Sequence, residues 1–177
     1  DKVVPTLVTS LGSVISIAAG QYCSFAVKSD GTLLSWGYNN YGQLGDASTL
    51  NRNTPGQVSG IAGVKAVACG GEYTIALKSD STIWTWGRNT YGQLGDGTTT
   101  NRGTPAQVSG VSGVIAIGDA SETAAVIKKD GTVWTWGRNN YGQLGDGSTI
   151  DKKTPAQISA LTEVATIKGG LNHFKAM

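Results

Sequence analysis

The stretch "WTWGRNTYGQLGDGTTTNRGTPAQVSG", residues 84–110, decides how the chain is read, because it is written three times. A near copy, "WTWGRNNYGQLGDGSTIDKKTPAQISA", begins at Trp134, and a looser one, "LSWGYNNYGQLGDASTLNRNTPGQVSG", begins at Leu34. Pro5, Pro55, Pro105 and Pro155 recur at a spacing of 50, as do Trp36, Trp86 and Trp136 and the Gly-Gln-Leu-Gly-Asp runs from Gly42, Gly92 and Gly142. Fixed self-similarity of this kind is the mark of a repeat architecture, in which each unit buries its apolar face against the next.

Working outward from the phrase, each unit reads as β-structure. "VKAVACG" (64–70), "YTIALKSD" (73–80) and "TIWTWGRN" (82–89) are short β-rich runs separated by Gly, Ser or Asp. Asp30-Gly31 and Asp130-Gly131 mark tight hairpin turns. A long Gly/Asn/Thr loop follows, then a fourth short strand at "TPAQVSG", where Pro suits an edge because its missing N–H costs least there. Helical periodicity is absent. Four antiparallel strands per unit at constant spacing predict an all-β fold of radially packed blades, a β-propeller segment. Trp84 and Trp86, and likewise Trp134 and Trp136, stand two residues apart, so period two aims each pair at one face of its strand for packing between blades. Trp36 is the corresponding structural residue of the first unit.

The phrase WG-x-N-x-Y-GQLGDG, preceded by a strand of the form AL-K-S-D-x-T, resembles the regulator of chromosome condensation (RCC1) repeat, and the resemblance extends over the whole chain. It is closest in style to bacterial or viral members, since no copy carries an insertion. The resemblance implies one propeller region over residues 1–177, with blades at about 14–58, 64–108 and 114–158 and innermost strands after Val14, Val64, Val114 and Val164. Partial blade strands are expected over 1–10 and 164–177. Three blades do not close a ring, which calls for more chain or for further copies of it; the start at Asp1 points to a processed product or a piece of something longer. The family pattern places a His near the start of the second strand. Here that position holds Cys23, Tyr73, Thr123 and His173, so a structural hydrogen-bonding role is expected of it.

Composition narrows the function. The net charge is +2 and only 15% of residues are charged, below the roughly 25% usual in soluble domains. The cations are scattered, which argues against nucleic acid as a partner, since counterion release needs a cluster. No run of about 18 apolar residues offers a helical membrane span. The weakly charged composition leans toward an extracellular, cell-surface or virion setting. Cys23 and Cys69 form neither a disulfide framework nor a CxxC metal pattern. One His and three scattered Glu supply no triad and no paired-carboxylate cleft, so no catalytic residue, metal or cofactor is expected. Asp46, Asp96 and Asp146 are expected to accept backbone amides in their turns and not to bind calcium or phosphate.

Comparison among the copies then separates two surfaces. The turn between the first and second strands changes almost completely: "GQYCS" (20–24), "GGEYT" (70–74), "ASETA" (120–124) and "GLNHF" (170–174). Variable turns on a rigid scaffold suit recognition, which makes Gln21, Tyr22, Glu72, Tyr73, Ser121, Glu122 and Asn172 candidate partner contacts; unconstrained drift explains the variation equally well. A second candidate surface is the uniform loop with Tyr38, Arg88 and Arg138, which suits a repetitive glycan and also suits plain packing. The expected function is a non-catalytic protein-interaction or structural module. The alternatives are a guanine-nucleotide exchange factor acting on a small GTPase, for which the family's inserted loops are missing, and a rim-loop binder of a glycan or of a target enzyme.

Overall fold

The computed structural model describes residues 4, 7, 8, 11–170 and 173–177. Every regular element in them is a strand. The first blade is β1 (Val14–Ala19), β2 (Cys23–Lys28), β3 (Leu33–Gly37) and β4 (Arg52–Gln57); the second is β5 (Val64–Cys69), β6 (Tyr73–Lys78), β7 (Ile83–Gly87) and β8 (Arg102–Gln107). The third is β9 (Val114–Ala120), β10 (Thr123–Lys128), β11 (Val133–Gly137) and β12 (Lys152–Gln157), followed by a two-stranded sheet of β13 (Ile167–Gly169) and β14 (Phe174–Ala176). Each four-stranded sheet is an antiparallel meander in sequence order, from the first strand to the Pro-bearing last one.

Local chemistry sets the turns. In the β2–β3 hairpin the Asp30 carboxylate accepts the Thr32 amide at 2.9 Å, and Gly31 sits at φ 79°. The third blade repeats the arrangement with Asp130 and Gly131, whereas in the second blade Ser81 takes the left-handed conformation at φ 64°, where a side chain is unfavourable. A further bond from the Val64 amide to the Gly31 carbonyl, 3.1 Å, ties the start of one blade to the hairpin of the one before.

The core lies between the blades. Phe25, Val27 and Leu33 of the first blade pack on Val67, Cys69 and Trp86 of the second; Ile75, Leu77 and Ile83 pack on Val126 and Trp136 of the third. Ile127 and Val133 in turn meet Val164, Ile167 and Phe174. Trp86 and Trp136 are buried completely, while Trp84 and Trp134 are half-buried beside them, their indole N–H groups donating to Thr82 and Thr132. Trp36 is only half-buried, as no blade among the described residues covers its face.

Two expectations concern the ends of the sequence. The fourth inner strand, expected after Val164, spans Ile167–Gly169, and its pairing runs on through Thr166 and Met177, which exchange backbone bonds of 2.9 and 3.0 Å. The outer strand expected over residues 1–10 falls mostly outside the described residues.

Candidate functional site

Each Gly-Gln-Leu-Gly-Asp loop is organised around a buried Asn three residues before the Gly. The Asn39 carboxamide accepts the Leu44 amide at 2.8 Å and donates to Asp46, to the Ser48 carbonyl and to the Leu50 carbonyl. Asn139 repeats this set around Asp146, and Asn89 makes the first three of these bonds around Asp96. The Asp carboxylates also accept the Ser48, Thr98 and Ser148 amides and face Arg52, Arg102 and Lys152, respectively. Burial disfavours the Asp46 and Asp96 anions, but these bonds outweigh it and hold both carboxyls below their ordinary pKa. The loop closes with its Gln turned inward: the Gln43 carbonyl accepts the Trp86 indole at 2.8 Å and the Thr74 hydroxyl at 2.9 Å, both from the next blade. A loop fixed at so many points is a rigid platform for whatever projects from it.

The side chains that project form one strip. Backbone bonds from the Tyr38, Arg88 and Arg138 amides to the Tyr22, Glu72 and Glu122 carbonyls, 2.9–3.0 Å, join the uniform loop of each blade to its variable turn. Gly37 permits this approach, since at φ 113° a Cβ there would stand 2.4 Å from the Tyr22 carbonyl oxygen. The two surfaces separated by sequence are therefore one rim. On it, Arg88 pairs with Glu72 at 2.7 Å and with Glu122 at 3.2 Å, and Glu122 pairs with Arg138 at 2.6 Å, so a carboxylate of the third blade bridges two guanidinium groups. Arg88 also lies 5.2 Å from the Tyr41 ring centroid and 5.9 Å from that of Tyr91, while Arg138 lies 4.8 Å from Tyr91 and 5.7 Å from Tyr141. Tyr and Arg alternate along the strip, each guanidinium held between two rings and neutralised by Glu. Burial opposes the Arg88 charge, but Glu72 and Glu122 overcome it and raise the pKa above the usual arginine value.

At the first blade the same two positions carry different chemistry. Tyr22 and Tyr38, the counterparts of Glu72 and Arg88, meet edge to face with centroids 5.9 Å apart, and Gln21 donates to the Tyr22 hydroxyl at 3.1 Å. Tyr22 at one end of the strip and Tyr141 at the other are 62% and 75% exposed, which leaves aromatic area open to a partner.

The remaining candidates fall as follows. Tyr73 is buried, with its hydroxyl donating to the Thr123 carbonyl at 2.7 Å, so it pins the second blade to the third and is no surface contact. The Tyr73 side chain points across the junction, not outward, and its hydroxyl is long enough to reach the next backbone. Cys23, in the same position, is buried with Cys69; a hydrogen bond from that neighbour lowers its pKa, against the effect of burial. Ser121 contributes its carbonyl, which accepts the Gly71 amide at 2.6 Å. Asn172 lies outside the described residues. Sequence reasoning missed Tyr41, Tyr91 and Tyr141. Their signal is a Tyr three residues after each of Tyr38, Arg88 and Arg138, which does not vary among the copies. Among the described residues no group of three or more His, Cys, Asp or Glu could hold a metal ion, and no helix is long and apolar enough to cross a membrane.

The family model described as "RCC1-like domain" matches residues 1–176. The chain belongs to the RCC1-like domain family. Human WBSCR16 superposes with a TM-score of 0.83 at 26% identity, over 93% of this chain and 44% of that one. Yeast RCC1 (Prp20), solved bound to Kap60, gives 0.81 at 21% identity over 91% and 41% of the two chains, a likeness that shows the fold alone. The mitochondrial RCC1 domain-containing protein RUG3 of Arabidopsis thaliana is 40% identical over 45 residues, 25% of this chain and 10% of that protein. The chain thus spans less than half the length of these relatives. They come from a human, a yeast and a plant, and give the expectation of a bacterial or viral-type member no support. RCC1-like domains are in general interaction or exchange-factor modules without catalytic chemistry of their own.

Proposed function

We propose that this chain is a non-catalytic protein-binding module and that its contact surface is the rim running from Tyr22 to Tyr141. The single observation that carries the reading is the continuous strip in which Tyr41, Arg88, Tyr91, Arg138 and Tyr141 alternate while Glu72 and Glu122 neutralise the cations. Tyr and Arg are the residues that dominate protein interfaces, and here they stand on rigid loops, so little side-chain freedom is lost on binding. The balanced charge suits a polar protein surface better than a polyanion. The blades at 14–58, 64–108 and 114–158 and the partial strands at 1–10 and 164–177 act as one region in this reading, and the weakly charged composition favours a surface, secreted or virion setting.

Prp20 has been solved bound to Kap60, and its binding to Gsp1p and histones has been described, which supplies a first panel of protein ligands. The test is to measure binding of the chain to that panel and to a glycan array, with a Tyr22→Ala/Arg138→Ala/Tyr141→Ala variant alongside. Protein binding that weakens at least tenfold in the variant, with an unchanged circular dichroism spectrum, supports the rim. Protein binding untouched by the variant, or binding only on the glycan array, overturns it. Accelerated nucleotide release from a small GTPase would move the reading to an exchange factor.

A further inference from the structure

The junction between the first and second blades has a whole four-stranded blade on either side, and both of the chain's cysteines lie in it. Cys23 opens β2 and Cys69 closes β5, so the pair spans two sheets. A Cβ built on Gly20 would stand 2.9 Å from the Cys23 Sγ and 3.1 Å from the Cys69 Cβ; one methyl group there would touch both side chains. Both thiols are free. The Cys69 thiol donates to the Cys23 sulfur, and backbone bonds from Gly20 and Tyr22 add to it, which holds the Cys23 thiol below its ordinary pKa against the effect of burial.

The pair is buried but not sealed. Cys23 and Cys69 keep 5% and 6% of their surface, whereas Phe25 and Trp86 in the same core keep 1% and 0%. An opening of that size suits a reagent as small as hydrogen peroxide and keeps out a second protein. The other complete junction shows what this place does. There the counterpart of Cys23 is Tyr73, whose hydroxyl donates to the Thr123 carbonyl at 2.7 Å and fastens one blade to the next. Redox-active cysteines combine thiolate character, some access and a resolving cysteine beside them, and all three are present here.

We propose that Cys23 and Cys69 form a redox modification site, at which a hydroperoxide converts the two thiols into a disulfide that staples the first blade to the second. The Cys23 thiolate attacks a peroxide oxygen; the O–O bond breaks, hydroxide leaves, and Cys23 becomes a sulfenic acid. The proton that Cys23 released turns the hydroxide into water. The Cys69 sulfur then attacks the Cys23 sulfur, the S–O bond breaks, and the Cys69 proton departs with the hydroxyl as a second water. The thiols are oxidised by two electrons and hydrogen peroxide is reduced by two. An added dithiol reverses the change by thiol–disulfide exchange. The staple fastens the first junction covalently where Tyr73 fastens the second by a hydrogen bond, and it stands independently of the rim.

For the test, the full 177-residue chain is reduced, freed of reductant, exposed to hydrogen peroxide, quenched with catalase and then alkylated in urea. Mass spectrometry of the intact chain and of its proteolytic fragments reads the result. Both thiols should be lost together in the monomer, a cross-linked fragment should hold Cys23 and Cys69, and dithiothreitol should restore both. The oxidised chain should unfold at a higher urea midpoint than the reduced one, since the cross-link constrains the unfolded chain. In Cys69→Ser, dimedone should trap a sulfenic acid at Cys23. In Cys23→Ser, oxidation of Cys69 should be at least tenfold slower than that of Cys23 in the unaltered chain. If either variant fails to fold, the unaltered chain still decides. Cysteines oxidised singly to sulfinic acid, disulfides found only between chains, a cross-link that forms only in urea, or an unmoved urea midpoint would each overturn the proposal.

Discussion

The junction between the first and second blades and the junction between the second and third share one backbone and one central fastening. In both, a Trp of the later blade donates to a Gln carbonyl of the earlier one. Around that fastening the chemistry departs. The first junction sets Cys23 beside Cys69 and, above them, places Tyr22 against Tyr38. The second pins Tyr73 to the Thr123 carbonyl and runs an ion-pair network from Glu72 through Arg88 and Glu122 to Arg138. Partners change together: where the turn has Tyr the loop has Tyr, and where the turn has Glu the loop has Arg. In every blade the same backbone bond joins the variable turn to the uniform loop, so the two positions face one another whatever side chains they carry.

The largest perturbation tests what the junctions share. Trp86→Ala and Trp136→Ala should each cost about 3–5 kcal/mol, within error of one another, in urea unfolding. A clear inequality would mean that the two slots differ in more than their surroundings. Next comes the element found only at the second junction: Tyr73→Phe removes the donor to a buried carbonyl and should cost about 1–2 kcal/mol, with Cys23→Ser expected to follow a different and separately measured pattern. Glu122→Gln should cost about 0.5–1.5 kcal/mol, and the loss should shrink in high salt because the network is partly open to solvent. A salt-independent loss would place the network's contribution in packing instead. Ser81→Gly should stabilise by about 0.5–1 kcal/mol, since it relieves the left-handed serine of the second hairpin, and the third blade, which already has Gly131, offers no such gain.

Acid gives a comparison across all three loops. Asp46, Asp96 and Asp146 titrate below their ordinary value in the folded chain, and Asp80 falls to about 2. A carboxyl whose folded pKa lies below its unfolded one contributes stability in full above about pH 4 and loses it as pH falls toward the folded value. Urea midpoints should hold from pH 7 to about 5 and then decline. Asp96→Asn should flatten that decline; an unaltered slope would show that the loop carboxylates are not its source.

Much of this was legible in the residues themselves. The 50-residue period, the Asp-Gly hairpins and the Pro-bearing edge strand lead directly to four-stranded blades, because strand alternation and turn chemistry act over a few residues. The rim was half legible. Its residue types are visible, but variation among the copies sets Tyr73 with the surface contacts and does not single out the unvarying Tyr41, Tyr91 and Tyr141. Both have one cause: contact between residues 73 and 123, or 88 and 122, depends on how one blade stacks on the next, and no local pattern encodes that.

The sequence by itself determined the repeat, its strands and the tryptophans that mark its faces, since these follow from period and local conformational preference. Only the tertiary structure decided that a variable turn and a uniform loop form one strip, that a Tyr turns inward as a pin, and that Gln43 and Gln93 offer their carbonyls to an indole. The reason is physical: stacking brings groups from 31 to 50 residues apart within hydrogen-bond distance, and it is the surroundings met there that settle whether a side chain is buried, paired or left open.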